Sequence, residues 1–185
     1  LIKNKNVLII GPCQSVSKHK KKIIKFIHKH KPIVLALNTT NQIPKKYIDA
    51  NIACHPLRLL SDINKYKKFD NYFITPYSSF SKNIKSKILT KNVLDFGLQV
   101  KNKRFKFEHN YAVLPNSLAI SYALGICTSG ESKGIFLAGL DGYSENSPRK
   151  FEIDELFQGY KLENKSKIIS SLTPTNFKIK FVKNI

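Results

Sequence analysis

Val7-Leu8-Ile9-Ile10-Gly11-Pro12-Cys13-Gln14-Ser15-Val16 holds one apolar run and the turn that leaves it. Four apolar residues in a row, preceded by polar Lys3–Asn6 and ended by a glycine, predict a parallel strand buried on both faces. Ser15 is suited to cap a helix. Beyond it Val16, Ile23, Ile24 and Ile27 recur at helical spacing, with Lys18, Lys21, Lys22, Lys25 and Lys29 mainly on the other side. Lys31-Pro32 stops this helix, and Ile33–Leu37 is a second apolar run. Strand, helix, strand in this order must cross over right-handed and gives parallel neighbours.

Working outward, Asn38–Pro44 reads as a polar loop and Lys45–Ile48 as a short helical piece. Asn51–Cys54 is a strand, His55–Ile63 a helix, and Asn71–Thr75 and Asn92–Phe96 are strands flanking a helix over Ser79–Ile88. Gly97–Glu108 alternates apolar and charged residues through Leu98, Val100, Phe105 and Phe107, which predicts a hairpin with Lys101–Lys103 at its turn. Asn116–Gly125 is an apolar helix expected to end at its glycine. Gly134–Ala138 is a strand and Gly139–Pro148 a turn-rich loop. Phe151–Ser171 is helical in parts, with Gly159 weakening it, and Phe177–Val182 alternates as a last edge strand. Strands alternating with helices give an α/β class. The expected fold is Rossmann-like, a mostly parallel sheet with helices on both faces and a β-hairpin insertion, as a single domain over 1–185. In such sheets ligands sit at the carboxyl ends of strands, where strand order reverses.

Composition narrows the function classes. With 42% hydrophobic residues the chain can build a core, and no apolar run reaches the length that spans a bilayer. The chain contains no Met and begins with Leu1, so it is expected to be a piece of a longer protein. Cys13, Cys54 and Cys127 match neither a zinc spacing nor a disulfide framework, and no metal site is expected; scattered thiols suit a cytoplasmic location. The net charge of +20 calls for anionic partners, yet the only arginines are Arg58, Arg104 and Arg149. Readers of nucleic acid favour arginine for bidentate contacts, so nucleic acid is not the expected partner, although a basic nucleic-acid-binding module is one alternative. The Lys-rich helix could instead meet a membrane surface, a partner or water.

Three segments carry candidate chemistry. In the Gly11–Ser15 turn, with Pro12 and Gln14 between, backbone amides and the Ser15 hydroxyl would face an anion at a helix start. Equally, Gly11 relieves a tight turn and Ser15 caps the helix. Leu114-Pro115-Asn116-Ser117 opens the apolar helix, where Asn116 or Ser117 either caps it or also meets the ligand. Gly139-Leu140-Asp141-Gly142-Tyr143 follows a buried strand. There Asp141 is placed to accept from a ribose hydroxyl and Tyr143 to stack or donate, or the segment is an Asp-Gly turn with Tyr143 on the sheet. His55-Pro56 with Arg58 follows a strand end within reach of a phosphate. His28 and His30, two apart, do not share a helix face and make a poor metal pair.

Gly11, Ser15, Ala123-Leu124-Gly125 and Gly139-Leu140-Asp141-Gly142-Tyr143, in this order, resemble bacterial sialyltransferases that use CMP-sialic acid and the related pterin-pyrophosphokinase-like proteins. The resemblance covers about half the chain. It implies that these elements surround a nucleotide or nucleotide sugar and its phosphate, with no other cofactor. Two departures stand out: Cys13 and Gln14 occupy positions of a second Gly and a Pro in that family's turn. The histidine that the family carries downstream of the Asp-x-Tyr loop is missing, since all five histidines precede it. Asp141 and His109 are then the remaining candidates for a catalytic base, and activity is left open. Gly11 through Asn38, with its Lys-rich helix and Pro32–Asn38 strand, also looks like the domain following an aldolase barrel of the hydroxymethylglutaryl-CoA-lyase-like class. That likeness implies a non-catalytic accessory domain, fused to an aldolase-like barrel, of a surface-polysaccharide protein.

Overall fold

The computed structural model describes residues 1–68, 70–88 and 92–182. The chain opens on β1 (Asn6–Ile10), whose last four residues are buried. The predicted helix after it is two pieces, α1 (Ser15–Lys18) and α2 (Lys20–His30), parted at His19. Lys31 takes up a left-handed conformation at φ 45° and ends α2 one residue before Pro32. β2 (Ile33–Leu37) is buried throughout, as its uninterrupted apolar run requires. There follow β3 (Ala50–Ile52), α3 (Pro56–Ser61), α4 (Ile63–Tyr66), β4 (Tyr72–Thr75), α5 (Lys82–Lys87) and β5 (Val93–Asp95). The remainder comprises β6 (Gly97–Val100), β7 (Lys106–Phe107), β8 (Tyr111–Leu114), α6 (Ala119–Ser129), β9 (Gly134–Ala138), α7 (Pro148–Leu162), β10 (Ile169–Ser171) and β11 (Lys180–Phe181).

Among the described residues eight strands form one sheet in the order β11-β10-β9-β1-β2-β3-β4-β5, and every neighbouring pair is parallel. The domain is therefore α/β and Rossmann-like, as expected. Alternation along β1 shows that both faces are covered. Leu8 and Ile10 pack with Val16, Ile23 and Phe26 on one side, while Val7 and Ile9 join the cluster that contains α6 and α7 on the other. From β1 the chain builds outward through β2 to β5, then returns to lay β9 on the opposite flank of β1. The order thus reverses between β1 and β9.

Three expectations are corrected. Gly97–Glu108 is not a hairpin: β6 and β7 both pair with β8, which lies between them in a small second sheet, β6 parallel and β7 antiparallel. Lys101–Lys103 is a turn, but one that carries the chain across β8; the hairpin is β7–β8, closed by the Glu108 N–H donating to Tyr111 O at 3.0 Å. Gly125 does not end α6, which runs on to Ser129. A Cβ at Gly125 would sit 3.0 Å from Ala112 Cβ and 3.2 Å from Leu114 Cδ1, so this glycine is the flat spot on which β8 rests. The third concerns Phe151–Ser171, which splits into α7, begun at Pro148, and a short parallel strand, β10, beside β9.

At the reversal point two glycines touch. A Cβ on Gly11 would overlap Gly139 O, and one on Gly139, whose φ is +75°, would overlap Val16 Cγ2. Gly11→Ala is expected to lower unfolding free energy by about 2–3 kcal/mol, because backbone cannot yield to the methyl. Gly134→Ala, whose Cβ meets nothing closer than 3.5 Å, is expected to change it little; urea denaturation of the two variants checks the contrast.

Candidate functional site

The turns after β1 and β9 leave the sheet side by side. Gly11 N–H donates to Ala138 O at 2.8 Å, and Cys13 N–H to Gly139 O at 3.2 Å. Ser15, the first residue of α1, is buried; its N–H donates to Asp141 Oδ2 at 3.1 Å and its hydroxyl to Asp141 Oδ1. Asp141 therefore supplies the negative charge at the start of α1, from 126 residues away. The sequence offered Ser15 as the cap and Asp141 as a ligand contact; the two are instead partners. Gln14 is the exposed N-cap residue and makes no side-chain cap bond, while Pro12 is exposed and its carbonyl accepts from Gln42 Nε2.

The loop that carries Asp141 is itself fixed. Gly139 N–H donates to Thr173 Oγ1 at 3.0 Å, and Asn176 N–H to Asp141 O at 2.8 Å. Gly142, at φ +106°, brings the loop within 2.8 Å of Asn176 Cβ, measured from the Cβ position a larger residue would have. Tyr143 projects from it, 45% exposed.

Beside these turns lies a crevice of about 460 Å3. Its walls include Pro12, Ser117 and Tyr143, so all three segments singled out in the sequence reach it. α6 opens on it: Leu118, Ala119 and Ile120 line the crevice, and the helix has no side-chain cap. Ser117 and Asn116 do not cap α6 as the sequence suggested. Asn116 Oδ1 accepts from Leu118 N–H at 3.3 Å, one residue ahead of the helix, and Ser117 offers its carbonyl to the Cys54 thiol at 3.1 Å. The first amides of an 11-residue helix consequently lack helical acceptors at the wall of the crevice.

Arg58 and Arg149, two of the chain's three arginines, flank the same space. Arg58 Nε lies 3.2 Å from Asp62 Oδ2 and Arg149 Nη1 lies 2.6 Å from Glu152 Oε2. A guanidinium has five N–H donors, so each pairing leaves others for a ligand. Lys65 and Arg58 beside Asp62 hold its carboxyl below the usual range, the Lys65 hydrogen bond contributing most. Asn38, directly after β2, also lines the crevice in a left-handed conformation at φ 53°. Its N–H donates to Ile52 O at 2.7 Å and its carbonyl accepts from Asn51 Nδ2 at 3.0 Å. Asn51 is in turn held by Asn71 Nδ2 at 2.9 Å. Asn38 and Arg149 escaped the sequence reading. Their signals were position, one at a strand's carboxyl end and one at a helix start, and the scarcity of arginine.

His109 is not at this site. It borders a separate hollow with Leu1, Ile2, Asp95, Phe96 and Gly130, which shares no lining residue with the crevice. His109 is therefore not placed as a base in the crevice. Cys54 borders the crevice, but burial pushes its thiol up to about 12, and burial raises Cys127 further. Neither supplies a thiolate near neutral pH. Among the described residues no group of three or more His, Cys, Asp or Glu side chains is arranged to hold a metal ion, and no helix is long and apolar enough to cross a membrane. Comparison with models of protein families finds no match, and comparison with curated proteins finds none either.

Two measurements follow from this geometry. Asp141→Ala should cost about 1–2 kcal/mol, the value of a helix cap, and Ser15→Ala should add little once Asp141 is gone. A double-mutant cycle in urea reads that non-additivity. A thiol reagent at pH 8 should modify Cys13 alone in the folded protein and all three cysteines once it is unfolded. Because the folded Cys54 pKa lies above its unfolded value, its contribution to stability holds below pH 9 and declines toward pH 12.

Proposed function

We propose that this domain binds a small phosphate-bearing ligand, of the nucleotide or nucleotide-sugar class, in the crevice at the carboxyl edge of its sheet. The observation that carries the reading is the start of α6, uncapped by any side chain, opening between Arg58 and Arg149. A helix dipole and unsatisfied amides favour an anion there, and guanidinium groups bind phosphate oxygens in pairs. The reversal of strand order between β1 and β9 is where ligands of doubly wound sheets are found.

The phosphate belongs at α6 rather than at Ser15. Asp141 already takes the Ser15 N–H and hydroxyl, and a second negative group beside that carboxylate would be repelled. Gly11 and Gln14 then act through the shape of the turn. Around the phosphate, the Asn38 amide suits a base edge or a sugar hydroxyl, and Tyr143 offers a ring for stacking. With His109 outside the crevice and Asp141 engaged, the reading is of a binding scaffold like that of nucleotide-sugar glycosyltransferases, and no catalytic base is assigned. The accessory-domain alternative shares this site.

Thermal denaturation with CMP, CDP, UDP, GDP, ATP and inorganic phosphate tests it. A nucleotide at 100 times its dissociation constant should add about 2.7 kcal/mol of stability. Arg58→Ala and Arg149→Ala should each weaken binding by about tenfold or more while costing little stability, since buried Asp62 keeps Lys65 at 2.8 Å and the Arg149–Glu152 pair is largely solvated. If none of the five nucleotides stabilises the protein, the reading fails; full binding by the double arginine variant would dispose of the placement at α6.

A further inference from the structure

α7 walls two hollows. Arg149 and Ile153 near its start face the crevice, while Glu152, Glu155, Gln158 and Gly159 face a second cleft of about 400 Å3. Across that cleft stand Asn102 and Lys103 from the turn after β6, Phe105, and Pro115-Asn116. We infer that this second cleft binds a neutral, hydroxyl-rich ligand of the saccharide class.

Its aromatic wall is built at a cost. Gly159 lies within α7 in ordinary helical conformation, so no backbone need explains it. A glycine there weakens a helix by about 1 kcal/mol relative to alanine. What it provides is space: a Cβ at Gly159 would lie 2.9 Å from Phe105 Cε2. The ring sits against the helix and is braced by Phe107 and Tyr160, with centroids 6.2 and 6.3 Å away. It still lines the cleft, where it offers the apolar surface on which the C–H face of a sugar ring packs.

The polar lining has the matching chemistry. Asn102, Asn116 and Gln158 carry amides, and Glu152 and Glu155 carry carboxylates; each such group presents two polar atoms side by side, as a pair of adjacent hydroxyls does. Asn116 Oδ1 is engaged by Leu118 N–H, which leaves its amide nitrogen as donor. The local charge argues against another anion. Basic residues outnumber acidic ones 32 to 12 in the chain, yet here Lys103 faces Glu155 and Glu152, the latter paired with Arg149 from the crevice side, so the lining carries no excess positive charge. A wholly apolar ligand would strand these polar groups without partners. The volume falls within the range of small-molecule clefts, about 300–1,000 Å3. The inference does not depend on the anion reading. Where both hold, the two ligands meet across the Arg149–Glu152 ion pair and the 115–118 segment, which divide the hollows.

Titration of the isotope-labelled chain with lactose, maltose, sucrose and N,N′-diacetylchitobiose, followed by amide NMR shifts without nucleotide, tests this. At least one should give saturable shifts at Asn102, Phe105 and Gln158 with a dissociation constant of about 1–10 mM. Glu155→Ala combined with Gln158→Ala, both on the exposed side of α7, should weaken it by about tenfold or more. Gly159→Ala should weaken it too by displacing the Phe105 ring, while the melting temperature holds. No saturable shift at about 100 mM of any of the four, unchanged binding in the double variant, or shifts gathered at Asn38, His55 and Tyr143 would overturn the inference. Such a failure leaves the nucleotide measurement standing, since no nucleotide is present.

Discussion

Where β1 and β9 leave the sheet together, two peptide turns touch through Gly11 and Gly139 with no room for a side chain on either. This contact sets the path of everything after it. It brings Asp141 over the start of α1, where the carboxylate accepts from both the amide and the hydroxyl of Ser15. The loop is tied from behind by Thr173 and Asn176, so the two chain halves lock at the one place where strand order reverses. The reversal also leaves a gap, because the connections from β1 and β9 diverge to opposite flanks. The crevice is that gap, roofed by α6 and α7.

Charge tells a different story from the one its total suggests. No acidic residue precedes Asp49, and α2 carries exposed lysines at 20, 21, 25 and 29. Yet α2 packs on the face of the sheet occupied by Leu8 and Ile10, while the crevice borders Leu37, Cys54 and Ile120 of the other core cluster. The exposed lysines of α2 are thus on the face away from the crevice, and among the described residues no lysine lines it. Even Lys22, half-buried, is used structurally: its ammonium donates to Val182 O at 2.9 Å and sits over the Phe181 ring, and burial lowers its pKa. The two arginines at the crevice are the more telling cations, because a planar fork of donors fits a phosphate and is scarce in this chain.

Packing demands explain the sequence features that misled. Gly125 looks like a helix stop and Gly159 like a weak point in one, but each marks where another element presses on a helix, β8 on α6 and Phe105 on α7. A glycine that ends a helix and one that admits a neighbour are identical in sequence. Likewise, the alternation in 97–107 was real and produced strands, but strand partners are chosen by the surface on offer. β8, resting on α6, presents two edges, and β6 and β7 each take one.

What the sequence by itself determined is the local pattern and the class that follows from it. Val7–Ile10, Ile33–Leu37 and Gly134–Ala138 are runs too apolar to be anything but buried parallel strands, and the observed bounds of the last two are those read from the residues. These signals are legible because burial on both faces acts on each residue independently of its partners. Tertiary structure alone decided which distant groups meet: Asp141 with Ser15, Arg58 with Arg149 across one crevice, and His109 with neither. Those pairings join residues 91 to 126 positions apart. No periodicity encodes them, since they arise only when the order of strands in the sheet is set.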